Sequence, residues 1–173
     1  MHLAARLLCT FSMALSMLTP CVALADPTMI YLVRHGEKEL RGVDPVLSAP
    51  GVVRAQNLAT MLEKAEIKNI FSTPTLRAMQ TAEPLARRSG LAVQTYDVKA
   101  PRALVEKVKS LSGAVLVVGH SNTLPELVRL FGGAPGADIA DNEYDRLYQL
   151  SVGPDGAVTT VLLTLLPATG PAP

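Results

Sequence analysis

Residues 29–37 read Met29-Ile30-Tyr31-Leu32-Val33-Arg34-His35-Gly36-Glu37, and this stretch decides the fold. Five apolar residues in an unbroken run are too short for a helical stripe and lack the alternation of a half-solvated strand. They predict a strand buried on both faces, the kind found inside a parallel sheet. The run breaks off at an arginine, a histidine and a glycine. A second run, Ala114-Val115-Leu116-Val117-Val118, breaks off in the same way at Gly119-His120-Ser121.

Between and after these runs the pattern alternates helix and strand. Val52, Ala55, Leu58, Ala59 and Leu62 recur at three- and four-residue steps, predicting a helix with Ser48 at its cap and Pro50 in its first turn. Asn69–Ser72 reads as a short strand, and Thr73-Pro74 opens a helix that runs to Ser89 and stops at Gly90. Residues 91–96 read as a strand, 101–111 as a helix and 122–131 as another helix, ended by Gly132-Gly133. Residues 146–152 and 157–166, joined by Gly153-Pro154-Asp155-Gly156, predict an antiparallel hairpin. The fold class is therefore α/β: a single-domain three-layer α/β/α arrangement with a mostly parallel sheet and a C-terminal antiparallel edge hairpin.

The 173 residues suit one domain, with 49% apolar and only 4% aromatic residues, so the core must be aliphatic. Residues 1–25 are set aside as an export signal: His2 and Arg6 give a weakly basic start, the run from Leu7 to Leu18 is apolar, and Ala23-Leu24-Ala25 is an A-x-A cleavage pattern before Asp26. That run is short of the roughly 20 residues a bilayer span requires. The expected domain is 26–166, with a flexible tail at 167–173, no membrane span in the mature chain and a periplasmic location. Both cysteines, Cys9 and Cys21, fall within the signal, which leaves no disulfide framework and no thiol nucleophile. Without Arg6 the formal charge drops from +1 to zero, so no nucleic-acid partner is expected.

Ligands of open parallel sheets bind beyond the carboxyl ends of the strands. Arg34, His35, Arg77 and His120 all fall at or just behind such ends. Two guanidiniums offer forked, permanent donors matched to phosphate oxygens. A neutral imidazole can accept a phosphoryl group, and a second can donate to a nonbridging oxygen as charge shifts. This set reads as phosphoryl transfer, and no H-x-x-H or H-x-x-E-H spacing argues for a metal.

Four segments, in order, resemble the histidine phosphatase (phosphoglycerate mutase-like) superfamily. They are Tyr31 through Glu37; Asp44-Pro45-Val46-Leu47-Ser48 through Arg54-Ala55; Ser72 through Arg77-Ala78-Met79-Gln80-Thr81-Ala82; and Val117 through Asn122. The resemblance implies His35 as the phosphorylated nucleophile and Arg34, Arg77 and His120 as the phosphate pocket. It also implies no metal and no cofactor, with a small phosphorylated molecule as substrate.

The pattern departs from the family at the general acid. One branch places a carboxylate directly after the second histidine, where this chain has Ser121. Asp97 is the acid nearest the alternative family position, with Glu106 and Glu37 as further candidates, although its simpler reading is a solvated or turn carboxylate. Asp141, Glu143 and Asp145 form an acidic loop, either solvated or rimming the pocket. Two other functions stay open: a phospho-ligand binding module without turnover, and a mutase-like phosphotransferase, disfavoured by the missing cap insertions.

Overall fold

The computed structural model describes residues 29–169. The expected export signal, with Cys9 and Cys21, lies outside these residues. The chain runs β1 (Met29–Arg34), α1 (Ala49–Met61), β2 (Ile67–Ser72), α2 (Leu76–Ser89), β3 (Val93–Thr95), α3 (Pro101–Lys109), β4 (Ala114–Gly119), α4 (Leu124–Leu130), β5 (Arg146–Val152) and β6 (Val158–Thr164). One sheet has the order β3-β2-β4-β1-β5-β6. The first four strands pair in parallel, and β5 and β6 form the antiparallel hairpin at one edge.

Alternate residues of the buried strands feed two separate cores, as the strand period of two requires. Ile30, Leu32, Val115 and Val117 pack with Leu104, Val105 and Val108 of α3 and Leu124, Leu127 and Val128 of α4. Tyr31, Val33, Leu116 and Val118 face the other way, against Leu58 and Ala59 of α1 and Ala78, Ala82 and Leu85 of α2. Helices thus cover both faces, giving three layers.

Several boundaries move inward from the sequence expectation. The fourth helix begins at Leu124 rather than 122, because residues 121–123 form a turn in which Thr123 N–H donates to the His120 carbonyl. Val52 is 49% exposed and leaves the predicted stripe of α1, whose buried face instead takes in Gly51 and Arg54. Ser48 stands at the N-cap of α1, yet its hydroxyl makes no capping bond. Within the stretch expected to be a free tail, Thr169 is held: its N–H donates to Asp145 Oδ2 at 2.8 Å, and its hydroxyl accepts from Tyr144 N–H at 2.8 Å. Among the described residues no helix is long and apolar enough to cross a membrane.

Candidate active site

Strand register builds the site. Arg34 on β1 pairs with Gly119 on β4, so the next residues, His35 and His120, emerge side by side. Their ring centroids lie 5.2 Å apart in an edge-to-face arrangement. Ser72 on β2 pairs with Val118, which brings Thr73 and the start of α2 to the same edge. Thr73 Oγ1 and His120 Nε2 are hydrogen-bonded at 3.0 Å. A cavity of about 420 Å³ opens there, lined by His35, Lys38, Thr73, Arg77, Val98 and His120 among others.

The loop after β1 is held by backbone contact that only glycine permits. A Cβ on Gly36 would stand 2.9 Å from the Gly51 carbonyl oxygen, and one on Gly51 would stand 2.1 Å from the Glu37 oxygen. Gly36 N–H donates to Thr81 Oγ1 at 3.0 Å, and the Thr81 hydroxyl donates to the Arg77 carbonyl at 2.7 Å. One threonine thereby ties the His35 loop to the arginine helix. Arg54, fully buried, grips Glu37 with Nε and Nη2 at 2.9 and 2.6 Å and donates from Nη1 to the Leu165 carbonyl at 2.7 Å. Burial pushes the Glu37 carboxyl up, but the Arg54 bonds outweigh it and hold the group below its ordinary value.

His35 is 3% exposed. Its Nδ1–H donates to the Gly36 carbonyl at 2.8 Å, which leaves Nε2 as the lone-pair nitrogen. Arg77 Nε–H donates to that nitrogen at 3.1 Å, while Arg77 Nη1 reaches Asp44 Oδ1 at 3.3 Å. Burial lowers the His35 pKa to about 3, with His120, Arg77 and Arg34 adding to the effect; burial likewise lowers His120 to about 4, assisted by the same arginines. Both imidazoles are therefore neutral in the free protein.

Arg34 is buried and lies outside the lining of this cavity. Its Nη1 donates to the carbonyls of Ala140 and Glu143, each at 2.8 Å, and its guanidinium carbon sits 4.0 Å from the centre of the Tyr144 ring. The Arg34 Nε–H is buried without a partner.

The structure thus gathers His35, Arg77 and His120 around one cavity, with Arg34 behind His35. It does not gather Asp97, which is exposed and accepts from Lys99 N–H at 2.8 Å, closing its own turn; its neighbour Val98 lines the cavity instead. Glu37 is likewise committed, to Arg54. The acidic loop is used in part through its backbone, since the carbonyls of Glu143 and of Ala140 just before it bind Arg34. Sequence reasoning missed Tyr144, and assigned no role to Arg54, Thr73 and Thr81. The last three stand inside quoted motifs, whereas nothing in the sequence around Tyr144 marks it.

Residues 30–98 match the family model of the histidine phosphatase superfamily, branch 1. An uncharacterised protein of Mycobacterium tuberculosis is 37% identical over 79 residues, which are 42% of this chain and 39% of that protein. The chain thus spans about two fifths of the length of that curated relative. Among solved structures, the protein histidine phosphatase SixA complexed with tungstate superposes with a TM-score of 0.64 at 21% identity, covering 79% of this chain and 96% of that one. A mycobacterial glucosyl-3-phosphoglycerate phosphatase with inorganic phosphate superposes at 0.60 and 18% identity, covering 82% and 98%. These likenesses show the fold. The family match spans the Arg34-His35-Gly36 loop and the Arg77 helix, so over these residues the chain is similar to the histidine phosphatase superfamily.

Proposed function

We propose that this protein is a metal-independent phosphatase that hydrolyses a small phosphomonoester through a phosphohistidine on His35. The observation that carries this reading is the bond from His35 Nδ1–H to the Gly36 carbonyl, which presents Nε2 as a lone pair toward a cationic cavity. Bound phosphate would draw Arg77 off Nε2 and onto its own oxygens, and the free Arg34 Nε–H would gain the acceptor it lacks. Nε2 then attacks phosphorus, the P–O bond to the alcohol breaks, and the leaving oxygen takes a proton. Water next attacks phosphorus and returns to solvent the proton that the leaving oxygen took, the P–N bond breaks, and inorganic phosphate leaves with His35 restored. The arginines and His120 oppose the charge on the nonbridging oxygens throughout. The similar proteins named as phosphatases support the same chemistry.

Among the described residues no carboxylate lines the His35 cavity. The leaving group is then protonated by water, so esters with good leaving groups react fastest. This observation also favours a second reading, a phospho-ligand binding module without turnover. Hydrolysis of p-nitrophenyl phosphate by residues 26–173 in the presence of EDTA, beside His35→Ala, separates the two. Activity lost only in the variant, with a base-stable phosphoenzyme after rapid quenching, supports the phosphatase. Phosphate binding with no turnover in either supports the module. Export to the periplasm is part of the proposal, on the apolar run and A-x-A pattern of residues 1–25. A mature protein starting at Asp26 by mass spectrometry is the expected outcome.

A further inference from the structure

A second cleft, of about 720 Å³, shares Ser121 and Asn122 with the His35 cavity and is otherwise lined by Pro125, Glu126 and Arg129 of α4 and by Asp138, Ile139 and Asp141 of the loop before β5. It is the larger of the two, and it begins where the turn after His120 ends. Its four charged side chains, Glu126, Arg129, Asp138 and Asp141, form no ion pair or side-chain hydrogen bond with any other described residue. The His35 cavity is cationic, while this one carries three carboxylates against one guanidinium. Because Ser121 and Asn122 line both cavities, an ester whose phosphate sat on Arg77 and His120 would reach the second cleft across these two residues.

Building on the phosphatase reading, we infer that this cleft receives the alcohol portion of the substrate and selects it by charge. The chemical class is a phosphomonoester of a hydroxyl-rich, sugar-sized alcohol, neutral or bearing an amine, with no second anionic group. Carboxylates accept hydrogen bonds from hydroxyl and ammonium groups, and they repel a carboxylate or second phosphate at the same place. The two cavities together then read the substrate as a dipole, anion at one end and donors at the other. The effect is electrostatic and partly solvated, so it weakens as salt rises.

Glucosamine 6-phosphate, glucose 6-phosphate and 6-phosphogluconate share one phosphate position and differ in charge at the far end of the molecule. Their binding to His35→Ala, which cannot turn them over, is measured by calorimetry at low and high salt. The expected affinities fall in that order across about a tenfold range at low salt. The triple variant Glu126→Gln/Asp138→Asn/Asp141→Asn narrows the range to within about twofold, while Glu63→Gln/Glu83→Gln, remote from the cleft, preserves it. Equal affinities, tightest binding of 6-phosphogluconate, no binding of any of the three, or an order that survives the triple variant would each overturn the inference. Turnover of p-nitrophenyl phosphate by the chain with His35 intact judges the phosphatase reading separately.

Discussion

Arg77 Nε–H donates to His35 Nε2 across 3.1 Å, so in the free protein the arginine covers the very lone pair that the proposed reaction uses. The contact is possible because burial keeps His35 neutral. Asp44, accepting from Arg77 Nη1 and from Leu76 N–H, holds the guanidinium from behind. An incoming anion therefore exchanges one arginine hydrogen bond for stronger, charge-assisted ones.

Arg77→Ala should raise the inhibition constant of vanadate by about ten- to a hundredfold, the loss of a charged donor pair worth roughly 1.5–3 kcal/mol. Arg77→Lys should recover little of this, since an ammonium lacks the planar fork. Steady-state inhibition measures both. An unchanged constant in Arg77→Ala would remove this arginine from the phosphate site.

The Arg54–Glu37 pair predicts a stability effect remote from catalysis. Arg54 is 0% exposed and makes bonds to Glu37 and Leu165, so Arg54→Leu strands a carboxylate and should cost about 3–5 kcal/mol in urea denaturation. Glu37→Gln, which keeps an oxygen acceptor, should cost less. The double variant Arg54→Met/Glu37→Leu should recover part of the loss. Equal costs for both single variants would show that packing, not the ion pair, sets the stability.

How much of this was legible in the sequence follows from which force fixes each part. The buried strands were legible because continuous apolar runs have few other uses, and the register between β1 and β4 then places His35 beside His120 with no further information. Arg54 was not legible as a core residue, because a charged side chain is buried only when a partner meets it. That partner, Glu37, is 17 positions away on another element. Val52 failed for the converse reason: the stripe is turned by the close approach of Gly51 to Glu37, which buries the Gly51–Arg54 side of α1. Asp97 was placed by counting from Arg77, but a carboxylate that can accept from the N–H two residues on closes its own turn.

Acid should destabilise the protein through its two buried histidines. His35 and His120 are held at about 3 and about 4, against about 6.5 in an unfolded chain. Above pH 6.5 neither state binds the protons and the histidines cost nothing. As pH falls from 6.5 toward 4 the unfolded chain takes up protons that the folded one refuses, and stability declines by up to about 1.4 kcal/mol per pH unit for each histidine. His120→Asn should roughly halve that slope in denaturation at pH 4.5–6.5. Phosphate should restore stability in the same range with net proton uptake, seen as a dependence of binding heat on buffer. A flat profile would mean that the imidazoles are not desolvated.

The last relationship runs from the C-terminal segment to the site. Thr169 Oγ1 accepts from Tyr144 N–H, and the Tyr144 ring supports the Arg34 guanidinium at 4.0 Å. Tyr144→Phe keeps the ring and should leave vanadate inhibition within about twofold. Tyr144→Ala removes the face that Arg34 rests on and should weaken inhibition by about three- to thirtyfold, the range of a partly desolvated cation–π contact. Thr169→Val, nearly isosteric, should act in the same direction but more weakly, because Asp145 Oδ2 still accepts from the backbone N–H of residue 169. Inhibition constants and far-ultraviolet circular dichroism of the three variants test this together. If Tyr144→Ala keeps both its fold and its affinity, Arg34 is held by the Ala140 and Glu143 carbonyls alone, and the aromatic ring plays no part in positioning it.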